Sequence, residues 1–180
     1  MAFDFDSYIV LDVPSPLADR IMAIREANRD VFRASLPVEI TIAGSSGVGA
    51  LDPAQSAREV FGILDEIATT TSPFSAQFSN VIRFPGTDIF VLTLADESPF
   101  RELHKHIIQS LIKFKPSQFP YKPHCTLRSR SPVTAEEEDE LLNVAVPGIF
   151  TLDTISVYMM KRLAMDLLYR TYLSGPSDAA

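Results

Sequence analysis

Residues 123–128 read Pro-His-Cys-Thr-Leu-Arg, and the fold follows from where this hexapeptide sits. It follows a proline-containing loop and has strand character. Strand side chains two apart share a face, so His124, Thr126 and Arg128 are expected to project together, away from Cys125 and Leu127. An imidazole is the usual proton carrier near neutral pH. A hydroxyl and a guanidinium beside it, bracketed by Tyr121 and Lys122, can hold a phosphate. Alone, a His-x-Thr is a weak signal. It gains weight from a counterpart in the first half of the chain, Glu39-Ile40-Thr41-Ile42 within the strand-like run 37–43. There Glu39 and Thr41 share one face, and Val38, Ile40 and Ile42 the other.

Working outward, each of these runs sits in a similar neighbourhood. The apolar runs Tyr8–Val13 and Ile89–Leu94 are each followed by Ser-Pro, at Ser15-Pro16 and Ser98-Pro99. Each serine is expected to cap a helix that opens on its proline. Asp52-Pro53 is expected to start a third helix, and Thr134-Ala135-Glu136-Glu137 has capping-box form before a fourth. Ala76–Phe84 and Ile89–Leu94 flank Pro85-Gly86-Thr87-Asp88, a hairpin signal. Phe150–Met160 and Met165–Leu173 form a similar pair around Lys161-Arg162. The expected class is α+β: two pseudo-symmetric lobes of antiparallel sheet, backed by helices around a central cleft. Residues 1–180 are read as a single bilobal domain with an internal duplication, about 1–87 and 88–174. The tail 175–180 is expected to fray.

The chain of 180 residues holds 16 Lys and Arg against 23 Asp and Glu, a net charge of -7. Coating duplex DNA or an anionic membrane needs many cationic groups, so neither is an expected partner. A small basic pocket for one or two phosphates remains open, with Lys122, Arg128, Arg162 and Arg83 as candidate cations. The single cysteine, Cys125, excludes an internal disulfide and fits a reducing compartment. The N-terminal stretch lacks a basic region and an apolar core, and no apolar run reaches membrane-span length. The expectation is a cytoplasmic monomer without cofactor or metal.

With both tetrapeptides in the matching halves of a repeated pattern, the sequence resembles the two-histidine (2H) phosphoesterase superfamily, which includes 2'-5' RNA ligase-like proteins and cyclic phosphodiesterases. That family carries one His-x-Thr/Ser-x motif per lobe across a cleft. His124-Cys125-Thr126-Leu127 matches the second motif, and Glu39-Ile40-Thr41-Ile42 matches the first except that glutamate replaces histidine. The resemblance implies metal-independent phosphodiester chemistry on a nucleotide or a short RNA end carrying a 2',3'-cyclic or 2'-5' linked phosphate. It makes His124 an acid/base, and Thr41 and Thr126 the phosphate holders. Glu39 changes the electrostatics. Two unit negative charges about 4 Å apart repel by roughly 4 kcal/mol at an effective dielectric of about 20. An ionised Glu39 would therefore need a neighbouring cation, whereas a protonated one could act as an acid. Two readings stay open: a phosphoesterase using Glu39 and His124, or a catalytically lapsed module that binds a nucleotide or RNA end in the same cleft. A hydrolase of another small substrate, using the same pair, is a third.

Other signals are weaker. His104 and His106 lie two apart on an expected helix, about 200° around its axis, and cannot share an ion. The loop Gly44–Gly49 lacks the lysine of a phosphate loop and reads as a flexible turn or cleft flap. No nucleophile elbow is present, and Cys125 should face away from His124.

Overall fold

A computed structural model describes residues 3–129, 132–162 and 164–176. Among these residues, eight strands form two four-stranded antiparallel sheets in an α+β arrangement. The first sheet has the order β2 (Glu39–Ala43), β1 (Ser7–Asp12), β7 (Thr154–Lys161), β8 (Ala164–Tyr172). The second has the order β5 (Cys125–Arg128), β4 (Phe90–Leu94), β3 (Phe74–Arg83), β6 (Ile149–Leu152). The helices are α1 (Leu17–Ala27), the single turn α2 (Val31–Ala34), α3 (Ala57–Thr70), α4 (Ser98–Ile108) and α5 (Ala135–Leu142).

Period-two alternation decides which face each strand buries. Ile9 and Leu11 of β1, Ile40 and Ile42 of β2, and Ile155 and Val157 of β7 all enter one continuous apolar core. Val60, Leu64 and Ile67 of α3 and Phe100, Leu103 and Ile107 of α4 enter it from helices, at helical spacing. The opposite face of the first sheet carries Glu39, Thr41 and Asp12, with Asp12 directly across from Glu39 in the ladder.

The halves 1–87 and 88–174 do not coincide with the sheets. Their boundary falls inside the β3–β4 hairpin, whose two strands both belong to the second sheet. The run 150–160 does not continue as one strand: it breaks at Asp153, sending β6 to pair with β3 and β7 to pair with β1. Each sheet thus draws strands from both halves. The helices cross over as well, α4 packing on β2 and α1 on β5.

Three helix starts differ from expectation. Pro16 rather than Ser15 holds the cap position of α1, and α4 is preceded by Glu97, neither with a side-chain cap bond. Instead, Asp96 Oδ1 accepts from the Ser98 N–H at 2.8 Å. Asp52 forms a local turn with Ala54, and Ser56 caps α3 by accepting from the Glu59 N–H. The capping box at Thr134 and Glu137 forms as read. At the C-terminal end, Gly175 N–H donates to Thr71 O at 3.0 Å, and 177–180 lie outside the described residues.

Candidate active site

The two tetrapeptides meet. Glu39 and Thr41 from β2, and His124 and Thr126 from the start of β5, line one cavity of about 500 Å³ between the sheets. The β3–β4 hairpin tip adds Phe84, Pro85 and Ile89 to its lining, and the loop before β5 adds Phe119 and Pro120. Gly86 takes φ +72 in that tip, a left-handed turn conformation that glycine adopts without steric cost.

Glu39 is 7% exposed, and Thr41 Oγ1 donates to its Oε2 at 2.9 Å. Burial raises its carboxyl pKa above the ordinary value; Arg33, the Thr41 hydroxyl and Arg25 oppose that, while Asp12 adds to it. Asp12 is itself held by Arg170 Nη2 at 2.9 Å and by the hydroxyl of Tyr158 at 2.9 Å.

His124 precedes the first ladder residue of β5, and its ring meets Phe84 edge-on at 5.1 Å. Its Nδ1 lies 2.6 Å from Lys122 O. A carbonyl oxygen only accepts, so Nδ1 carries the proton and the neutral ring keeps its lone pair on Nε2. Burial lowers the imidazole pKa below the ordinary value, the Lys122 carbonyl opposes this, and Arg33 and Lys122 lower it further. One cleft therefore holds a carboxyl biased toward its protonated form and an imidazole biased toward its neutral form.

Thr126 is 8% exposed and lines the cavity, but Arg128 does not. The expected shared face of His124, Thr126 and Arg128 is broken by a bulge. Thr126 pairs with Val91 and Arg128 with Phe90, so the extra residue Leu127 turns Arg128 to the opposite face from Thr126. There Arg128 is buried, donates to Pro132 O at 3.2 Å and faces Glu137 of α5 at 3.6 Å. Lys122 lines the cavity with its ammonium paired to Glu97. Tyr121 sits behind β2 rather than in the cavity. Its ring stacks on His104 at 3.8 Å, and its hydroxyl donates to Thr41 O at 3.4 Å. Arg83 is held outside by Asp88 at 2.6 Å and Glu138 at 2.8 Å, and Arg162 stands at the β7–β8 turn.

The loop Gly44–Gly49 is fastened down. Gly47 N–H donates to Phe119 O and Gly49 N–H to Lys115 O, both at 2.8 Å, and Lys122 N–H donates to Ser46 Oγ. Gly47 takes φ +73, and a Cβ there would lie 2.6 Å from His104 Nε2, so a side chain would displace the loop. His104 in turn donates from Nδ1 to Ile42 O at 2.6 Å, which places it as a brace of β2.

Sequence reasoning missed two arginines. Arg33, on the single turn α2, lines the cavity beside Glu39 and His124. Arg25, on α1, is fully buried and bonds Thr126 O through Nε at 3.1 Å and Nη2 at 2.8 Å. Its Nη1 reaches Leu36 O at 3.1 Å and Pro37 O at 3.2 Å, just before Glu39. A basic residue on the apolar stripe Leu17, Ile21, Ile24 was the available signal for Arg25; a four-residue helix leaves no period to read for Arg33.

Comparison with known proteins bears on the family and the fold. The sequence family described as the 2'-5' RNA ligase superfamily matches residues 13–163. Among curated proteins, none matches the chain by sequence. Among solved structures, TT0787 of Thermus thermophilus has a TM-score of 0.70 at 15% identity, over 94% of this chain and 98% of that one. LigT of E. coli, complexed with 3'-AMP, has a TM-score of 0.61 at 16% identity, over 94% and 98%. Usb1 of Kluyveromyces marxianus has a TM-score of 0.51 at 11% identity, over 93% and 96%. At these identities the likeness is one of fold.

Proposed function

Since this chain belongs to the 2'-5' RNA ligase superfamily, we propose that it is a metal-independent phosphoesterase acting on a 2',3'-cyclic or 2'-5' linked phosphate at a nucleotide or RNA end. The observation that carries this reading is the opposite bias of Glu39 and His124 within one cavity. Environments that push two titratable groups toward opposite protonation states assign the acid and the base.

His124 serves as the base. Its Nδ1–H is held by Lys122 O, leaving Nε2 to take a proton from the attacking water or hydroxyl as the new bond to phosphorus forms. Glu39 serves as the acid and protonates the leaving ribose oxygen as its bond to phosphorus breaks. Thr126 donates its hydroxyl to a non-bridging oxygen. Thr41 acts through Glu39, since its hydroxyl is engaged with Oε2. The LigT structures complexed with 3'-AMP and with ATP support this class of ligand for a protein of this fold.

Incubation with 2',3'-cyclic mononucleotides and 2'-5' dinucleotides, with and without a chelator, tests the proposal. The expected result is turnover that survives chelation and falls about a hundredfold or more in His124→Ala. Binding without turnover of any of these substrates would contradict it and leave the cleft as a nucleotide-binding module.

A further inference from the structure

The charge that faces the cavity comes from outside both tetrapeptides. Arg33 Nε donates to Ser129 Oγ at 2.9 Å, which orients the guanidinium against the segment that follows β5. Among the described residues, neither of its terminal nitrogens has a hydrogen-bond acceptor. Those nitrogens carry four of the five N–H donors of the side chain, in a plane that matches two oxygens of a phosphate. The other contacts open to an anion are fewer than the motifs imply. The Lys122 ammonium is paired with Glu97, and the Thr41 hydroxyl is engaged with Glu39.

We propose that Arg33 is the principal anion-binding residue of the cleft, its terminal nitrogens donating to two non-bridging oxygens of a singly charged phosphodiester. This rests on the phosphodiester reading above and adds a selectivity to it. One guanidinium opposite a carboxyl balances one negative charge, so a doubly charged monoester is held less well than a diester.

The same placement couples Arg33 to both proton-carrying groups. Glu39 is faced by Arg33 from α2, Arg25 from α1, Asp12 from β1 and Thr41 from its own strand. Arg33 and Lys122 act on His124. A positive charge favours carboxylate over carboxyl and disfavours imidazolium. Removing it raises both pKa values, so both limbs of a pH–rate profile move to higher pH.

Calorimetric binding of adenosine 2',3'-cyclic phosphate and of adenosine to wild type, Arg33→Gln, Arg33→Lys and Ser129→Ala tests this, with circular dichroism as the folding control. Arg33→Gln is expected to weaken the cyclic phosphate at least about tenfold while leaving adenosine unchanged, with a shallower salt dependence. Arg33→Lys should recover part of the loss, because it restores charge without the planar fork. Ser129→Ala, which keeps the guanidinium but frees its plane, should fall between, so the proposal stays testable if Arg33→Gln does not fold. Unchanged affinity in Arg33→Gln, or equal loss for adenosine and the cyclic phosphate, would overturn it. Binding by wild type without turnover would overturn the catalytic reading and leave the role of Arg33 standing. No binding of the cyclic phosphate by wild type would overturn the role of Arg33, and turnover of 2'-5' dinucleotides would then decide the catalytic reading by itself.

Discussion

Glu39 is the residue on which the proposed chemistry turns, and its ionisation is linked to stability. Burial raises its native carboxyl pKa above the ordinary 4.5. The folded protein then holds that proton more tightly than the unfolded chain does. The associated stability is complete below the unfolded value and is lost as pH rises through the native one. Glu39→Gln removes the titration, so its stability relative to wild type should increase from about pH 4 to about pH 8, as read by urea unfolding at both. A difference independent of pH would contradict the burial argument. At this scale the tetrapeptides were legible because a two-residue period places Glu39 with Thr41 and His124 with Thr126. Arg128 was misread because one extra residue at Leu127 inverts the period. Nothing in a four-residue helix announces Arg33.

Arg25 shows how elements set the site. Its guanidinium ties α1 to the Thr126 carbonyl on β5 and to the chain entering β2 at Leu36 and Pro37. His104 on α4 makes the reciprocal contact with Ile42 on β2. Each helix thus braces the motif strand of the opposite half. Arg25→Met would remove a donor from the buried carbonyls of Thr126, Leu36 and Pro37; each buried acceptor left unsatisfied costs about 1–3 kcal/mol, and a loss of at least about 2 kcal/mol is expected in urea unfolding. A loss under about 1 kcal/mol would mean that the carbonyls find other donors and that the brace is dispensable. The helices themselves were readable from the stripes of α3 and α4 and from the capping box of α5. Their starts were less so, because a Ser-Pro pair permits either residue to stand at the boundary. Asp153 was unreadable as a break: strand-forming residues flank it, and only the competing partners β3 and β1 pull the run into two sheets.

Across the whole molecule, an acidic chain builds a cleft that Arg33 lines with its positive charge, with Glu39 and His124 reaching it from opposite sheets. The repeated order of strands and helices announced two sheets and a cleft. It could not announce that the sheets exchange strands, because the β3–β4 hairpin pairs locally while β7, with β8 on its far edge, returns to β1 across most of the chain. In the proposed chemistry Glu39 supplies a proton and His124 accepts one. Activity should rise with pH through the His124 value, below 6.5, and fall through the Glu39 value, above 4.5. The direct measurement is the pH dependence of kcat/KM on a 2',3'-cyclic nucleotide for wild type and Glu39→Gln. A bell is expected for wild type, with Glu39→Gln slower by about a hundredfold or more and without the alkaline limb. An alkaline limb that persists unchanged in Glu39→Gln, at a rate near wild type, would contradict it.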